Sequence, residues 1–346
     1  LLAETVAVRT LPVNLRAEDR RLFEGELSRV IPPTSVITRT NVSVTPDGIL
    51  FRRAWPLPEG YPNPEHLKGT WVRSMPFRFF LRQYVLNRRQ PWAKPAFWIT
   101  DIWSHTYFHW LTDALTRLYI IREQVRGGTL LLPGAFAKSA YVRESLRPFG
   151  LGEIHYVDRT LRCRRLDIPL HTAPTGHYNE PVVQGLREWY DQHPPGTPAP
   201  ATGERVYVSR SRASVRRILN EAECEAVLES FGFRKVHFED YSFDEQVQIA
   251  QQTKYLVANH GAGMTNMIFM PKGGAVLELR KRDDDHNNCF FSLSSAMGLA
   301  YYYQTCEGSR SDPNAYGAHL RVDVDELRRN LEAMLASTGR ATTASV

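Results

Sequence analysis

Cysteine is scarce in this chain: four residues in 346, at positions 163, 224, 289 and 306, with no short spacing between any two. That scarcity excludes a disulfide-stapled scaffold and a Cys-x-x-Cys zinc pattern, and it makes free buried thiols in a reducing compartment the expected state. No apolar run is long enough to cross a bilayer, and the first residues lack the basic-then-apolar pattern of a secretory leader. The chain starts at Leu1 rather than a methionine, which leaves an upstream anchor open. A lone Asn41-Val42-Ser43 sequon is weak support for secretion. RNA- and DNA-binding motifs and long basic helices are missing as well, so no nucleic-acid partner is expected. Dense carboxylate runs are missing except Asp283-Asp284-Asp285, beside His286 and Asn287. No spacing there enforces magnesium geometry, and a solvated acidic loop is favoured over a metal site.

What is present describes a folded protein. Hydrophobic residues make up 42% and charged residues 23%, ordinary for a globular chain, and the length suits two domains better than one core. The net charge of +6 suits phosphates, nucleotides or an anionic membrane face. Residues 191–200 concentrate proline and glycine, as a linker does. The expected division is therefore 1–190, a linker over 191–202, a second domain over 203–322, and a C-terminal helix and tail over 323–346. Strands are expected at 49–55, 97–99 and 129–132, with a helix over 110–125. In the second domain strands at 205–209, 235–238, 254–258 and 275–279 alternate with helices at 221–231, 243–252 and 262–269. Such alternation predicts a parallel sheet covered by helices. Ser242-x-x-Glu245 has capping-box spacing, and Gly232 stands where the preceding helix must stop.

Three segments carry chemistry. Residues 255–266 read as a buried strand that breaks into His260-Gly261-Ala262-Gly263 and opens a helix. Glycines that let the backbone approach a ligand, with the N–H groups of a helix start, make an anion site. Thr265 and Asn266 add polar groups, and the next strand carries Glu278. The second segment runs from Ser209-Arg210 through Arg212, Arg216 and Arg217 to Asn220. Guanidiniums hold phosphate oxygens in pairs, although an exposed basic turn with Asn220 as helix cap fits the same residues. The third is His105, His109 and Asp113, spaced every fourth residue so that a helix would place them on one face. Thr106 stands where a zinc-peptidase motif needs glutamate, and a buried structural histidine pair is the plain alternative.

Together these segments resemble glycosyltransferase family 61. The resemblance rests on His109-Trp110-Leu111-Thr112-Asp113 with Arg117, on Ser209-Arg210 through Arg216-Arg217-Ile218 to Asn220-Glu221, and on His260-Gly261-Ala262-Gly263 through Asn266, Phe269 and Pro271 to Glu278, in that order. It implies a GT-B fold, two Rossmann-like domains with a cleft between them. It also implies an inverting, metal-independent enzyme that moves a sugar from a nucleotide-diphosphate donor, UDP-sugar first, to a hydroxyl of a glycan or glycolipid, as in capsular polysaccharide biosynthesis.

On that footing Asp113 is the expected base, with His109 and His105 as rivals. Arg210, Arg216, Arg217, Asn220 and the residues His260, Gly261, Ala262, Gly263, Thr265 and Asn266 would bind the donor. Glu278 would take the ribose hydroxyls. No cofactor or metal is expected. The aromatic-rich first half, with Trp55, Tyr61, Trp71, Trp92, Trp98, Trp103, Tyr107 and Trp110, is the expected acceptor side, though most such rings belong to cores. The expected setting is the bacterial cytoplasm with peripheral membrane association, or the ER/Golgi lumen for a eukaryotic member. A catalytically inactive glycan-binding scaffold on the same fold is the alternative.

Overall fold

The computed structural model describes residues 1–53, 55–62, 89–196, 198, 200–282, 284, 287–309 and 317–340, the last four by backbone alone. The chain divides into two compact units, Leu1–Thr5 with Val30–His193 and Val6–Arg29 with Pro194–Val346. The expected first domain thus gives up residues 6–29 to the second unit. There Phe23 is fully buried, with its ring centroid 4.9 Å from Phe291 and 5.0 Å from Tyr303. Asn14 Nδ2 donates to the Tyr303 carbonyl at 2.7 Å, and Asn288 Nδ2 to that of Leu22 at 2.6 Å. Contacts so distant in sequence leave no periodic trace, and local patterning assigns the segment to its chain neighbours.

The second unit is built on a six-stranded sheet. Five strands are parallel, in the order Arg234–Val236, Arg205–Val208, Tyr255–Asn259, Ala275–Lys281 and Ala300–Gly308, and Leu320–Arg321 closes the edge antiparallel. In chain order the parallel strands stand 2-1-3-4-5, so the order reverses between Arg205–Val208 and Tyr255–Asn259. In open α/β sheets the crevice beyond the carboxyl ends at such a reversal is where ligands bind. The alternation read from sequence is present, with helices at Glu221–Ser230 and Phe243–Gln252. Ala262–Phe269 differs in kind, forming a 3₁₀-helix.

Local signals explain the punctuation. Both bonds of the Ser242–Glu245 capping box form. After Ser230, Gly232 takes φ +76, and Phe233 N–H reaches back to the Leu228 carbonyl at 3.0 Å, closing the helix as a glycine cap does. The C-terminal helix Val324–Arg340 buries Leu327, Leu331 and Met334 in the core of this unit.

The first unit departs from a purely Rossmann-like plan, because its eight-stranded sheet is mixed. Leu161–Pro169 pairs antiparallel with Val36–Val44, which continues antiparallel through Leu50–Arg52 to Trp55–Pro56. On its other side Leu161–Pro169 runs parallel to Ala96–Phe97, followed by Thr129–Pro133 and Glu153–Val157. Short turns join Val36–Val44, Leu50–Arg52 and Trp55–Pro56, whereas the parallel strands need the crossover helices after residue 107. Val42, Trp98, Leu131 and Leu166 are among the residues of its core. Among the described residues no helix is long and apolar enough to cross a membrane.

Because Ser242 satisfies the Glu245 N–H and receives the Glu245 carboxylate in return, Ser242→Ala should lower unfolding stability by about 1 kcal/mol. Urea denaturation should show a lower midpoint at unchanged slope.

Candidate active site

In the first unit the site is built where a turn enters a helix. Residues 102–105 form a turn and the helix starts at Tyr107. At Trp110–Ala114 it widens into a π-turn, with the Leu115 N–H bonded to the Trp110 carbonyl, and such insertions recur at functional sites. The π-turn buries Asp113, while His109 just ahead of it stays partly exposed. His109 Nδ1 lies 2.8 Å from Asp113 Oδ2, and Thr175 Oγ1 donates to the same oxygen at 3.1 Å. Thr112 Oγ1 is 3.2 Å from Asp113 Oδ1. The Thr112 hydroxyl also lies 2.9 Å from the Phe108 carbonyl, so its one proton is shared between two acceptors and the carboxylate is held chiefly through Oδ2.

The expected three-residue stripe is broken. His105 precedes the helix, is exposed, and turns its Nδ1 to the Ile102 carbonyl at 2.9 Å. Helical spacing had no means of showing that the helix begins two residues later. In place of His105 the fold brings in Asp101 and His171, which sequence reasoning missed because they lie on separate loops. His171 Nε2 is 2.7 Å from Asp101 Oδ2. The Asp101 Oδ1 accepts N–H bonds from Trp103 at 2.7 Å and Ser104 at 3.0 Å.

Burial opposes ionisation of Asp101, but the His171 hydrogen bond and charge, Arg117 and the Trp103 N–H outweigh it and hold its pKa down at about 2. Arg117 is fully buried, and burial pulls its pKa down to about 10 against the support of Asp101, Asp113 and Glu59. Its Nε donates to the Pro169 carbonyl at 2.7 Å. The guanidinium thus lies in the field of three carboxylates, while its buried Nη1 and Nη2 have no hydrogen-bond partner. Asp101, Asp113 and His171 do offer ligand atoms within 4.8 Å of one another, but a cation there would displace formed hydrogen bonds and sit beside Arg117.

In the second unit the loop after Arg205–Val208 and the turn after Tyr255–Asn259 meet at the sheet reversal. The arginines sort into distinct roles. Arg212 pairs with Asp240 at 2.5 Å and Arg217 is exposed. Arg210 and Arg216 converge on the turn. The Arg210 guanidinium lies over Gly261, where an added β-carbon would stand 2.5 Å from Nη1, and Arg216 Nη1 is 3.4 Å from the His260 carbonyl. Burial, then the charge of Arg216, lowers the pKa of Arg210, and its buried Nε has no hydrogen-bond partner. Arg216 sits at φ +57, a conformation costly for a side-chain-bearing residue, and the Asn259 amide bonds its carbonyl.

The glycines act through packing against the protein itself. Gly261 is extended and makes room for Arg210, while a β-carbon on Gly263 would meet Val208 Cγ1 at 2.9 Å. Beyond them the first N–H groups of the 3₁₀-helix, from Ala262 and Gly263, have no partner within that helix.

Several expected ligand contacts turn inward instead. Glu278 is fully buried, bonded to His260 Nδ1 through Oε1 and to the Tyr301 hydroxyl through Oε2. It cannot meet a ribose from there. Burial opposes its ionisation, yet His260, Arg280 and Tyr301 hold its pKa below the usual value. Thr265 is fully buried, and Asn266 Nδ2 bonds Gln246 Oε1 at 3.1 Å. Asn220 exchanges two bonds with the Val322 backbone, at 2.9 and 3.0 Å, and makes no side-chain cap. Sequence shows that these positions are polar but not which way they point. Of the aromatics, Trp98 and Trp110 are buried and Trp55 is exposed. Trp71 lies outside the described residues, as do Asp283, Asp285 and His286 of the acidic run.

Comparison with known proteins bears on both units. The Glycosyltransferase 61 family model matches residues 107–277, a span that holds His109, Asp113, Arg210, Arg216 and His260. The chain is 30% identical over 170 residues to the EGF domain-specific O-linked N-acetylglucosamine transferase of Drosophila melanogaster, covering 43% of this chain and 32% of the fly protein. With the rat protein of the same name it shares 28% over 158 residues, 41% of this chain and 29% of the relative. With the bovine protein O-linked-mannose beta-1,4-N-acetylglucosaminyltransferase 2 it shares 33% over 106 residues, 29% and 18% respectively. The match thus spans about a third or less of these relatives.

The lowered pKa of Asp101 fixes a pH dependence. Its ionised form adds stability that is fully present above the ordinary value of 3.8 and is lost as pH falls through about 2, an effect on the order of 2 kcal/mol. Asp101→Asn should therefore show a flatter stability profile than wild type between pH 4 and pH 2 in urea titrations.

Proposed function

We propose, from the premise that this chain belongs to the glycosyltransferase 61 family, that it transfers a sugar from a nucleotide-diphosphate donor to a hydroxyl of a glycan acceptor. The observation that carries the reading is the Arg210–Arg216 pair set against the His260-Gly261 turn at the sheet reversal. Two guanidiniums held this close repel each other, and an anion between them relieves that cost. With the N–H groups at the start of the 3₁₀-helix they would hold the diphosphate and carry its charge as it leaves. In this reading the two units are the domains of a GT-B enzyme, the second taking the donor. Glu278 orients His260 and the ring, not the carboxylate, faces the ligand.

In the first unit the arrangement favours His109 over Asp113 as the base. The buried Asp113 accepts the Nδ1–H of His109 and so leaves Nε2 as the proton acceptor, the division of labour of an imidazole oriented by a carboxylate. In a single displacement the acceptor hydroxyl oxygen would bond to the anomeric carbon while the bond to the diphosphate oxygen breaks. The nucleotide diphosphate leaves with the electron pair, and the hydroxyl proton passes to His109 Nε2. The anomeric centre is inverted. We assign no metal to this step because protein cations stand where the leaving charge would develop. A polysaccharide or glycoprotein glycan, with UDP as carrier, is the substrate class we favour, and an enzyme of the bacterial cytoplasm or of the ER/Golgi lumen is consistent with it.

His109→Gln and Asp113→Asn should each lower sugar transfer by about 10²- to 10⁴-fold, with nucleoside diphosphate affinity unchanged, and His105→Ala should stay near wild type. Wild-type turnover in a folded His109→Gln protein removes the base assignment. Arg210→Ala should weaken diphosphate binding by about tenfold or more, as expected for losing a charged hydrogen bond. Unchanged affinity in a calorimetric titration contradicts the donor site.

A further inference from the structure

Beside the His109–Asp113 pair the first unit contains a cavity of about 570 Å³, a volume typical of a small-ligand site. Its lining has two characters. Pro32, Pro33, Pro62 and Pro174 form stiff apolar walls with Trp103 and Tyr61, while His171, Thr175 and His177 supply polar groups. Histidine aside, no charged side chain lines it among the described residues.

The cavity is joined to the pair through two of its walls. The Trp103 ring centroid lies 5.2 Å from that of His109, and Thr175 Oγ1 bonds Asp113 at 3.1 Å. Asp101 joins the two characters, since one of its oxygens holds the Trp103 and Ser104 N–H groups and the other holds His171. The aromatic wall and the polar wall are thus set by one buried carboxylate. With Nε2 committed to Asp101, Nδ1 is the His171 nitrogen left to meet a ligand.

We propose that this cavity is the acceptor subsite and that it takes a neutral pyranose, the ring's C–H face on Trp103 and a hydroxyl bonded to His171. An uncharged ligand with one apolar face and one hydroxyl edge matches the two-sided lining. Acidic sugars are disfavoured, because two carboxylates, Asp101 and Asp113, stand behind the polar wall against the single guanidinium of Arg117. Asp101 acts here as a positioning residue. The proposal rests on the transferase reading for its name as an acceptor site, but binding itself can be read without turnover.

The test is a titration of the full chain with methyl glycosides of xylose, N-acetylglucosamine, mannose, glucose and glucuronic acid, followed by tryptophan fluorescence and saturation-transfer NMR. At least one neutral glycoside should bind, and the glucuronide at least tenfold more weakly. Trp103→Ala and His171→Ala should each lower neutral-glycoside affinity tenfold or more without changing nucleoside diphosphate affinity. Trp103→Phe and His171→Gln, which keep a ring and a hydrogen-bonding group, should lose less and serve if the alanine variants do not fold. Diphosphate binding without any neutral-glycoside binding overturns the proposal, as do variants that bind like wild type or a preference for the glucuronide. Glycoside binding that depends on His171 in a chain that binds no diphosphate sinks the transferase reading and leaves the saccharide site.

Discussion

Buried carboxylates that hold imidazoles are the constraint around which both candidate sites are built. Asp113 orients His109, Asp101 orients His171 and Glu278 orients His260. A carboxylate without water is costly unless it is paired and fully hydrogen-bonded. Each unit meets that cost with a buried arginine as well as a histidine, Arg117 in the first and Arg280 in the second. Removing either partner would strand a charge, so the same buried carboxylates that the arginines support also hold the histidines in direction. Orientation and stability are one problem here, solved by the same atoms.

The second unit shows how ordinary sheet physics then delivers a ligand site. The strands Arg205–Val208 and Tyr255–Asn259 are buried along nearly their whole length, which forces their polar ends to one edge. The chain reverses its strand order there, leaving room above the sheet. Gly261 and Gly263 let Arg210 and Val208 close in on the turn, and the strained Arg216 is held by Asn259. What results is a concentration of positive charge backed by N–H groups that have no partner within their own helix, a surface that favours an anion before any particular ligand is named.

How much of this was legible in the sequence follows from how local each signal is. The helix Phe243–Gln252 has the bounds that its capping box and apolar spacing imply, and the strand alternation around it appears in the right order. The antiparallel pairing of Val36–Val44 with Leu161–Pro169 has no local mark, nor does the docking of residues 6–29 on the second unit. In the sites, the His109–Asp113 pair is four residues apart on a helix and could be read. The Asp101–His171 pair joins distant loops and could not. Asn220, Asn266 and Glu278 were visible as polar residues in the right neighbourhood, but whether a side chain faces the ligand or the core is decided by packing, and the core took all three.

The central claim is that the second unit binds a nucleoside diphosphate through protein cations alone. Its most direct test is thermal unfolding of the full chain with UDP, GDP and ADP at millimolar concentration in the presence of a chelator, since a ligand that binds only the folded state raises the midpoint by mass action. The account predicts a raised midpoint with at least one diphosphate, undiminished by the chelator. A midpoint unmoved by all three, or a shift that appears only when a divalent cation is restored, contradicts it.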